Sequence, residues 1–213
     1  MYQKISIVTF LITICGIALS YIIFPGKKSQ QGFINKIVHI CTLPFLEQKL
    51  SLVGALRKLV YLLALLSFVI LGITGFYPTL VLGEHISGYL IMIHATFAPI
   101  LAICLAILAV MWAGNCRING KDWPWFQRIV ERVTLHKSKE STSDNNSCLL
   151  QKIAFWLIIF LALPLALSII LSMLPYFGTY WQELFVLIHR YTALVFAVVV
   201  LIHTHLIIRS QIK

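Results

Sequence analysis

The stretch LIHRYTALVFAVVVLIHTHLIIRS, residues 187–210, is apolar over about one membrane thickness and yet carries His189, His203 and His205. About 20 apolar residues in a helix cross the hydrocarbon core of a bilayer, and ionisable side chains inside such a segment are costly and usually functional. His189 and His203 are 14 residues apart. They therefore lie within about 40° of each other on one helix face and about 21 Å apart along the axis. The stretch predicts a membrane-spanning helix with one imidazole towards each side of the bilayer.

The composition is that of an integral membrane protein. Of 213 residues, 60% are hydrophobic and 11% are charged, with a mean hydropathy of +0.91, whereas a soluble domain carries about a quarter charged residues. The first apolar window lacks a basic leader and a small-residue cleavage site, which favours a retained helix over a signal peptide. Five windows are long enough to span, and we expect an all-α protein with five transmembrane helices at 5–24, 58–78, 85–113, 153–174 and 184–209.

The basic residues indicate an orientation in the membrane. The chain has 17 Lys and Arg and a formal net charge of +10, concentrated in the segments 25–57 and 114–152. The connections 79–84 and 175–183 contain neither Lys nor Arg. By the positive-inside rule, the two basic segments and the C-terminus are cytoplasmic and the N-terminus is outside. The charge is thereby explained without nucleic acid as a partner, and we expect a bacterial inner-membrane protein surrounded by lipid.

Two histidines on different spans form the strongest candidate site. His94 and His189 both lie in the outer halves of spans that run in the same direction, so they are at similar depth. Two neutral imidazoles from different helices suit a bis-histidine haem iron, whereas zinc requires further ligands and the spans contain no acidic residue. The five cysteines form no CxxC or CxxCH pattern, which argues against a covalently attached haem or an iron–sulfur cluster. The pattern predicts a haem b bound by His94 and His189.

Three further residues are candidates for contact with this haem. Gly72 and Gly75, in SFVILGITGF, would let the edge of a macrocycle approach the second span, although small residues equally serve helix packing. Arg190 directly follows His189 and is placed to bind haem propionates, with an interfacial arginine that extends to the headgroups as the alternative.

His203 has no obvious partner at its own depth. No histidine lies in the second or fourth span, but His39, in NKIVHICTLPF between the first two spans, could complete a second haem site with His203. Otherwise His203 faces an open coordination position, a quinone or a ligand from a partner chain. Arg57, Tyr61 and His205 are predicted near the same depth and are candidates for an inner quinone pocket, with interfacial anchoring as the alternative.

Residues 55–209 resemble the b-type cytochrome membrane subunits of formate dehydrogenases, nickel–iron hydrogenases and related cytochrome b/b6-like proteins. The similarity lies in HRYTALVFAVVVLIH from His189 to His203, in GYLIMIHATFAPI with His94, and in LRKLVYLLALLSFVILGITGF. It implies a four-helix haem-binding bundle over 55–213, including the basic loop 114–152, preceded by an additional helix and connector in 1–54. Where the family's first core helix carries a haem-binding histidine, this chain has Val60, so a second haem would need another ligand.

The resemblance implies electron transfer between the quinone pool and a partner redox subunit of the iron–sulfur or multihaem cytochrome c type. The sequence contains no acidic dyad, no nucleophile with an adjacent base and no glycine-rich phosphate loop, so hydrolytic and phosphoryl-transfer chemistry are not predicted. Two alternatives remain open at this point. One is a pigment-binding or structural subunit of a larger redox or photosynthetic complex, and the other is a histidine-lined transporter of protons or metal ions.

Overall fold

The computed structural model describes residues 2–23, 52–114, 116–117 and 144–212. Each of the five predicted spans is a helix that is long and apolar enough to cross a membrane. This confirms the expected all-α membrane fold. Inside lipid the backbone has no water to bond, so a helix, which satisfies its own N–H and C=O groups, is the structure such segments adopt. The helices are α1 (Tyr2–Ile23), α2 (Leu52–Tyr77), α3 (Gly88–Trp112), α4 (Asp144–Met173) and α5 (Thr179–Ile212).

The helices pack as two antiparallel hairpins. α2 packs closely against α3, and α4 packs closely against α5, whereas far fewer residues of one hairpin contact the other. Pro99 lies inside α3 and Pro164 inside α4, and both helices continue through them. α2 extends into a π-helical turn, Pro78–Leu82, which ends at Gly83 with a φ of 72°. That left-handed backbone conformation is accessible to glycine at little cost.

The hairpins meet near the middle of the bundle through aromatic and aliphatic side chains. Phe68 of α2 and Phe196 of α5 have ring centres 6.1 Å apart. Phe68 and Leu105 pack against a buried cluster on the second hairpin, formed by Ile158, Phe196 and Val199. On one side of this contact the bundle carries His94 and His189, and we call this the His189 end. The opposite side is the His203 end.

α1 lies outside the two hairpins and runs parallel to α5. Tyr2 at its start contacts Arg190, and Ser20 near its finish contacts His205. The start of α1 is therefore at the His189 end, with the short connections α2–α3 and α4–α5. This arrangement agrees with the alternation predicted from the distribution of Lys and Arg.

Candidate metal centre

His94 and His189 approach each other between the two hairpins. Their ring centres are 6.4 Å apart and their planes make an angle of 76°. Metal–nitrogen bonds of about 2 Å, with about 1.1 Å from each nitrogen to its ring centre, put two axial imidazole centres about 6 Å apart. The separation therefore suits two imidazoles that bind one iron from opposite sides.

The hydrogen bond of His189 selects the tautomer that a metal needs. Its Nδ1 lies 2.9 Å from the carbonyl oxygen of Leu165 on α4. A carbonyl only accepts, so Nδ1 carries the proton and donates it, and Nε2 keeps a free lone pair. Histidine ligands in metalloproteins use this kind of bond from the second ring nitrogen to hold the ring in position. The partner is a backbone atom of the neighbouring helix in the same hairpin.

His94 is held in the same tautomer by Thr74. The Thr74 hydroxyl is 2.8 Å from the Ile70 carbonyl and donates its single proton there. Towards His94 Nδ1, 2.9 Å away, the hydroxyl oxygen therefore accepts, and the ring donates its Nδ1–H. Both imidazoles thus present an unprotonated Nε2. Thr74 is only 5% exposed, so this bond is shielded from competing hydrogen-bonding groups.

The two candidate glycines on α2 have different surroundings. A Cβ built on Gly75 would stand 3.1 Å from Cε1 and 3.6 Å from Nδ1 of His94, so the absence of a side chain there makes room for the imidazole. At Gly72 no described atom lies within 4 Å of such a Cβ. Gly75 therefore accommodates the candidate ligand itself, while Gly72 leaves open space one turn along the same helix.

Replacing Gly75 with valine should push His94 out of position. The new Cβ would already be closer to the ring than ordinary van der Waals contact, and overpacking of this kind costs about 1–3 kcal/mol. We expect a severalfold lower ratio of haem to protein, measured by a pyridine haemochrome assay on purified protein. Gly16→Val on α1, where no described atom lies within 4 Å of a built Cβ, is the matched control. An equal haem content in both variants would contradict this role for Gly75.

Arg190 is directed towards the surface at the His189 end. Its guanidinium donates a hydrogen bond to Nδ1 of His85 and lies 5.8 Å from the centre of the Tyr2 ring. His85, predicted at the start of the third span, lies just before α3. His85 accepts this bond at Nδ1, and neither His85 nor the Tyr2 ring carries a negative charge that would cancel that of the guanidinium. A cavity of about 190 Å³ adjoins this group and is lined by Tyr2, Gln3, Thr79, Gly83, Glu84, His85 and Arg190.

At the other end of α5, His203 and His205 have different surroundings. His205 donates from Nε2 to Ser20 on α1, 3.0 Å away, because the Ser20 hydroxyl gives its own proton to the Ile17 carbonyl. The buried Nδ1 of His203 has no hydrogen-bond partner in the described part of the chain. Of the other residues predicted near this depth, Tyr61 packs against Trp112 with ring centres 6.1 Å apart.

Two residues considered for the second haem take no part in the described site. Val60, at the position of the missing histidine, is buried in an apolar cluster between α2 and α3 with Ala64, Leu101, Cys104 and Leu108. His39, the proposed alternative ligand, lies outside the described residues. Within the described ranges, no group of three or more His, Cys, Asp or Glu side chains is arranged to hold a metal ion. The donor set at the His189 end is therefore two imidazoles, which suits an iron whose remaining ligands come from a porphyrin.

The sequence model described as prokaryotic cytochrome b561 matches residues 58–213, which is most of the chain and covers both hairpins except the first residues of α2. The chain belongs to the prokaryotic cytochrome b561 family. It is thus a membrane b-type cytochrome of an electron-transfer family, and the family implies that it binds haem b. No match was found among curated proteins. The first helix of this cytochrome precedes the matched range.

Proposed function

We propose that this chain transfers electrons between the quinone pool and a partner redox subunit, and that it binds one haem b between His94 and His189. When bound, haem b supplies a one-electron ferric–ferrous couple. One observation carries the proposal: two imidazoles from different hairpins, both in the Nδ1–H tautomer, have ring centres 6.4 Å apart.

The residues around His94 and His189 have different roles in binding the haem. His94 and His189 would hold the haem iron, while Thr74 and the Leu165 carbonyl orient the two imidazole rings. Arg190 is the residue we assign to the propionate carboxylates, because its positive charge is not neutralised by His85 or Tyr2. A guanidinium binds a carboxylate through charge-assisted hydrogen bonds, about twice as strong as neutral ones.

The partner subunit is proposed to dock at the His189 end. His94 is the seventh residue of α3, which places it about 9 Å along the helix from the start. The connections at this end are short, about 83–87 and 174–178, so a partner's iron–sulfur cluster or c-type haem could come close. With the basic segments cytoplasmic, this end faces outside across a bacterial inner membrane.

The quinone is proposed to react near the His203 end. Three buried nitrogen atoms there, Nε of Arg57 and Nδ1 of His203 and His205, have no hydrogen-bond partner in the described ranges. Buried polar groups are normally bonded, and leaving one unpaired costs about 1–3 kcal/mol. A quinone carbonyl could accept a hydrogen bond from Arg57 Nε–H, and a quinol hydroxyl could donate one to the unprotonated Nδ1 of His205.

A single haem accounts for the described ligands. Val60 occupies the position at which the related b-type cytochromes carry a histidine ligand for a second haem. Its side chain packs in an apolar cluster. His203 and His39 remain the candidate ligands for a second haem. We therefore expect one haem per chain in a pyridine haemochrome assay, and a ratio of two would assign His203 to a second centre.

The function can be tested with the purified full chain in lipid vesicles. Dithionite should produce the sharp α band of a reduced b-type haem in the difference spectrum. A short-chain ubiquinol or menaquinol should produce most of the same band, and His94→Ala should remove the band with either reductant. A band produced by dithionite but by neither quinol would contradict the reaction with quinone. No band at all would contradict the haem itself.

A further inference from the structure

α1 makes polar contacts with both hairpins at the end that carries the two candidate ligands, although it lies outside the family-matched range 58–213. On the first hairpin, the Gln3 amide donates to the carbonyl oxygen of Leu80 at 3.2 Å. Phe10 packs against Phe76 with ring centres 5.0 Å apart. Phe76 directly follows Gly75, whose missing side chain leaves room for the ring of His94. The start of α1 therefore rests on the segment that supports one ligand.

On the second hairpin, α1 contacts the residues that directly follow His189. The Tyr2 hydroxyl donates to the carbonyl oxygen of Arg190 at 3.0 Å. The Tyr2 ring lies 5.2 Å from the ring of Tyr191 in an edge-to-face arrangement. The same ring lies under the Arg190 guanidinium, 5.8 Å from its central carbon. One side chain of α1 thus contacts both the backbone and the charged group of the residue next to the ligand.

Three separate segments meet at the Arg190 guanidinium. α5 supplies the residue, the segment before α3 supplies His85 as hydrogen-bond acceptor, and α1 supplies the Tyr2 ring. A cation over an aromatic face is attracted electrostatically by the ring, and the attraction is stronger where water is excluded. An arginine has many rotamers of similar energy, so losing one of these contacts should broaden the range of positions that the charge occupies.

We propose that Tyr2 is a positioning residue of the haem site, which holds the Arg190 guanidinium against His85 and so fixes a positive charge beside the iron ligand His189. The proposal rests on the proposed function, because it assumes a haem between His94 and His189. A fixed positive charge near the iron favours the ferrous form, which carries one positive charge fewer. The additional helix α1 would then raise the reduction potential of the haem bound between the two hairpins.

The test is a redox titration of the α band in purified full-length variants. Tyr2→Leu removes both the hydroxyl and the ring, and should lower the ratio of ferrous to ferric haem at a fixed applied potential at least threefold. Tyr2→Phe keeps the ring and should give a smaller shift in the same direction. Ser20→Ala, which breaks the contact of α1 with His205 at the opposite end, is the matched control and should leave the ratio unchanged.

A double-mutant cycle separates positioning from a general structural effect. Arg190→Gln should itself lower the ratio, and adding Tyr2→Leu to Arg190→Gln should produce no further change. A wild-type titration curve in both Tyr2 variants would overturn the proposal, as would an equal shift from Tyr2→Leu with and without Arg190. If the leucine variant does not accumulate, Tyr2→Phe in the two backgrounds decides the question by the same criterion. Absence of haem from the wild-type protein would instead overturn the proposed function.

Discussion

Replacing His189 with glycine should remove the haem from the purified protein. His189 is one of two protein ligands in the proposed site. The other histidines of α5, His203 and His205, lie at the opposite end of the helix and cannot replace it. We expect less than about a tenth of the wild-type α band, since loss of one axial ligand leaves an iron held from one side only. His94→Gly should have the same effect, because the two ligands act on the same metal.

The same variants allow a rescue that a folding defect would not show. Glycine at position 189 leaves a space of imidazole size beside the Leu165 carbonyl, which can still accept a hydrogen bond. Imidazole added during haem reconstitution should therefore restore much of the band in His189→Gly. His205→Ala is the matched control, since that histidine is on the same helix but is bonded to Ser20. A full band in His189→Gly without imidazole would contradict the ligand assignment.

Thr74→Val should weaken haem binding while leaving the helix packing almost unchanged. Valine has nearly the shape of threonine but cannot accept the Nδ1–H of His94, so the ring loses the bond that fixes its tautomer and orientation. Loss of such a supporting partner typically lowers metal affinity 10–100-fold. The measurement is a haem titration of apoprotein in detergent, followed at the absorption maximum.

A nearby threonine provides the control for this prediction. Thr96 is on α3, two residues from His94, and its hydroxyl bonds back to the Met92 carbonyl at 2.8 Å in an exposed position. Thr96→Val should bind haem like the wild type, and Thr74→Ser should recover most of the affinity lost in Thr74→Val. Equal affinities for Thr74→Val and Thr96→Val would show that the hydroxyl does not support His94.

The helices and the principal histidine pair follow from features that a single sequence contains. A run of about 20 apolar residues cannot leave its backbone unpaired in lipid, so length alone predicts the five helices. Some helix starts differ from the predicted ones: α4, predicted from 153, begins at Asp144, and α5, predicted from 184, begins at Thr179. Polar residues such as Gln182 and Glu183 interrupt the apolar window without ending the helix.

The groups that orient the ligands could not be predicted in the same way. The acceptor for His189 is a backbone carbonyl, which exists at every position and has no signature in the sequence. Thr74 could have been noticed as a hydroxyl inside an apolar span, but its pairing with His94 depends on the rotation of α2 relative to α3. The contact between Tyr2 and Arg190 joins residues 188 positions apart and exists because α1 packs beside α5.

The coordination of the iron can be read directly from the electron paramagnetic resonance spectrum of the oxidised, purified protein at low temperature. Two imidazoles bound to one ferric haem make it low-spin, and ring planes 76° apart give a strongly anisotropic signal dominated by one large g value. We expect that signal in the wild type and its loss in His94→Gly and His189→Gly. A high-spin ferric signal in the wild type, or a low-spin signal that survives both substitutions, would contradict ligation of one iron by His94 and His189.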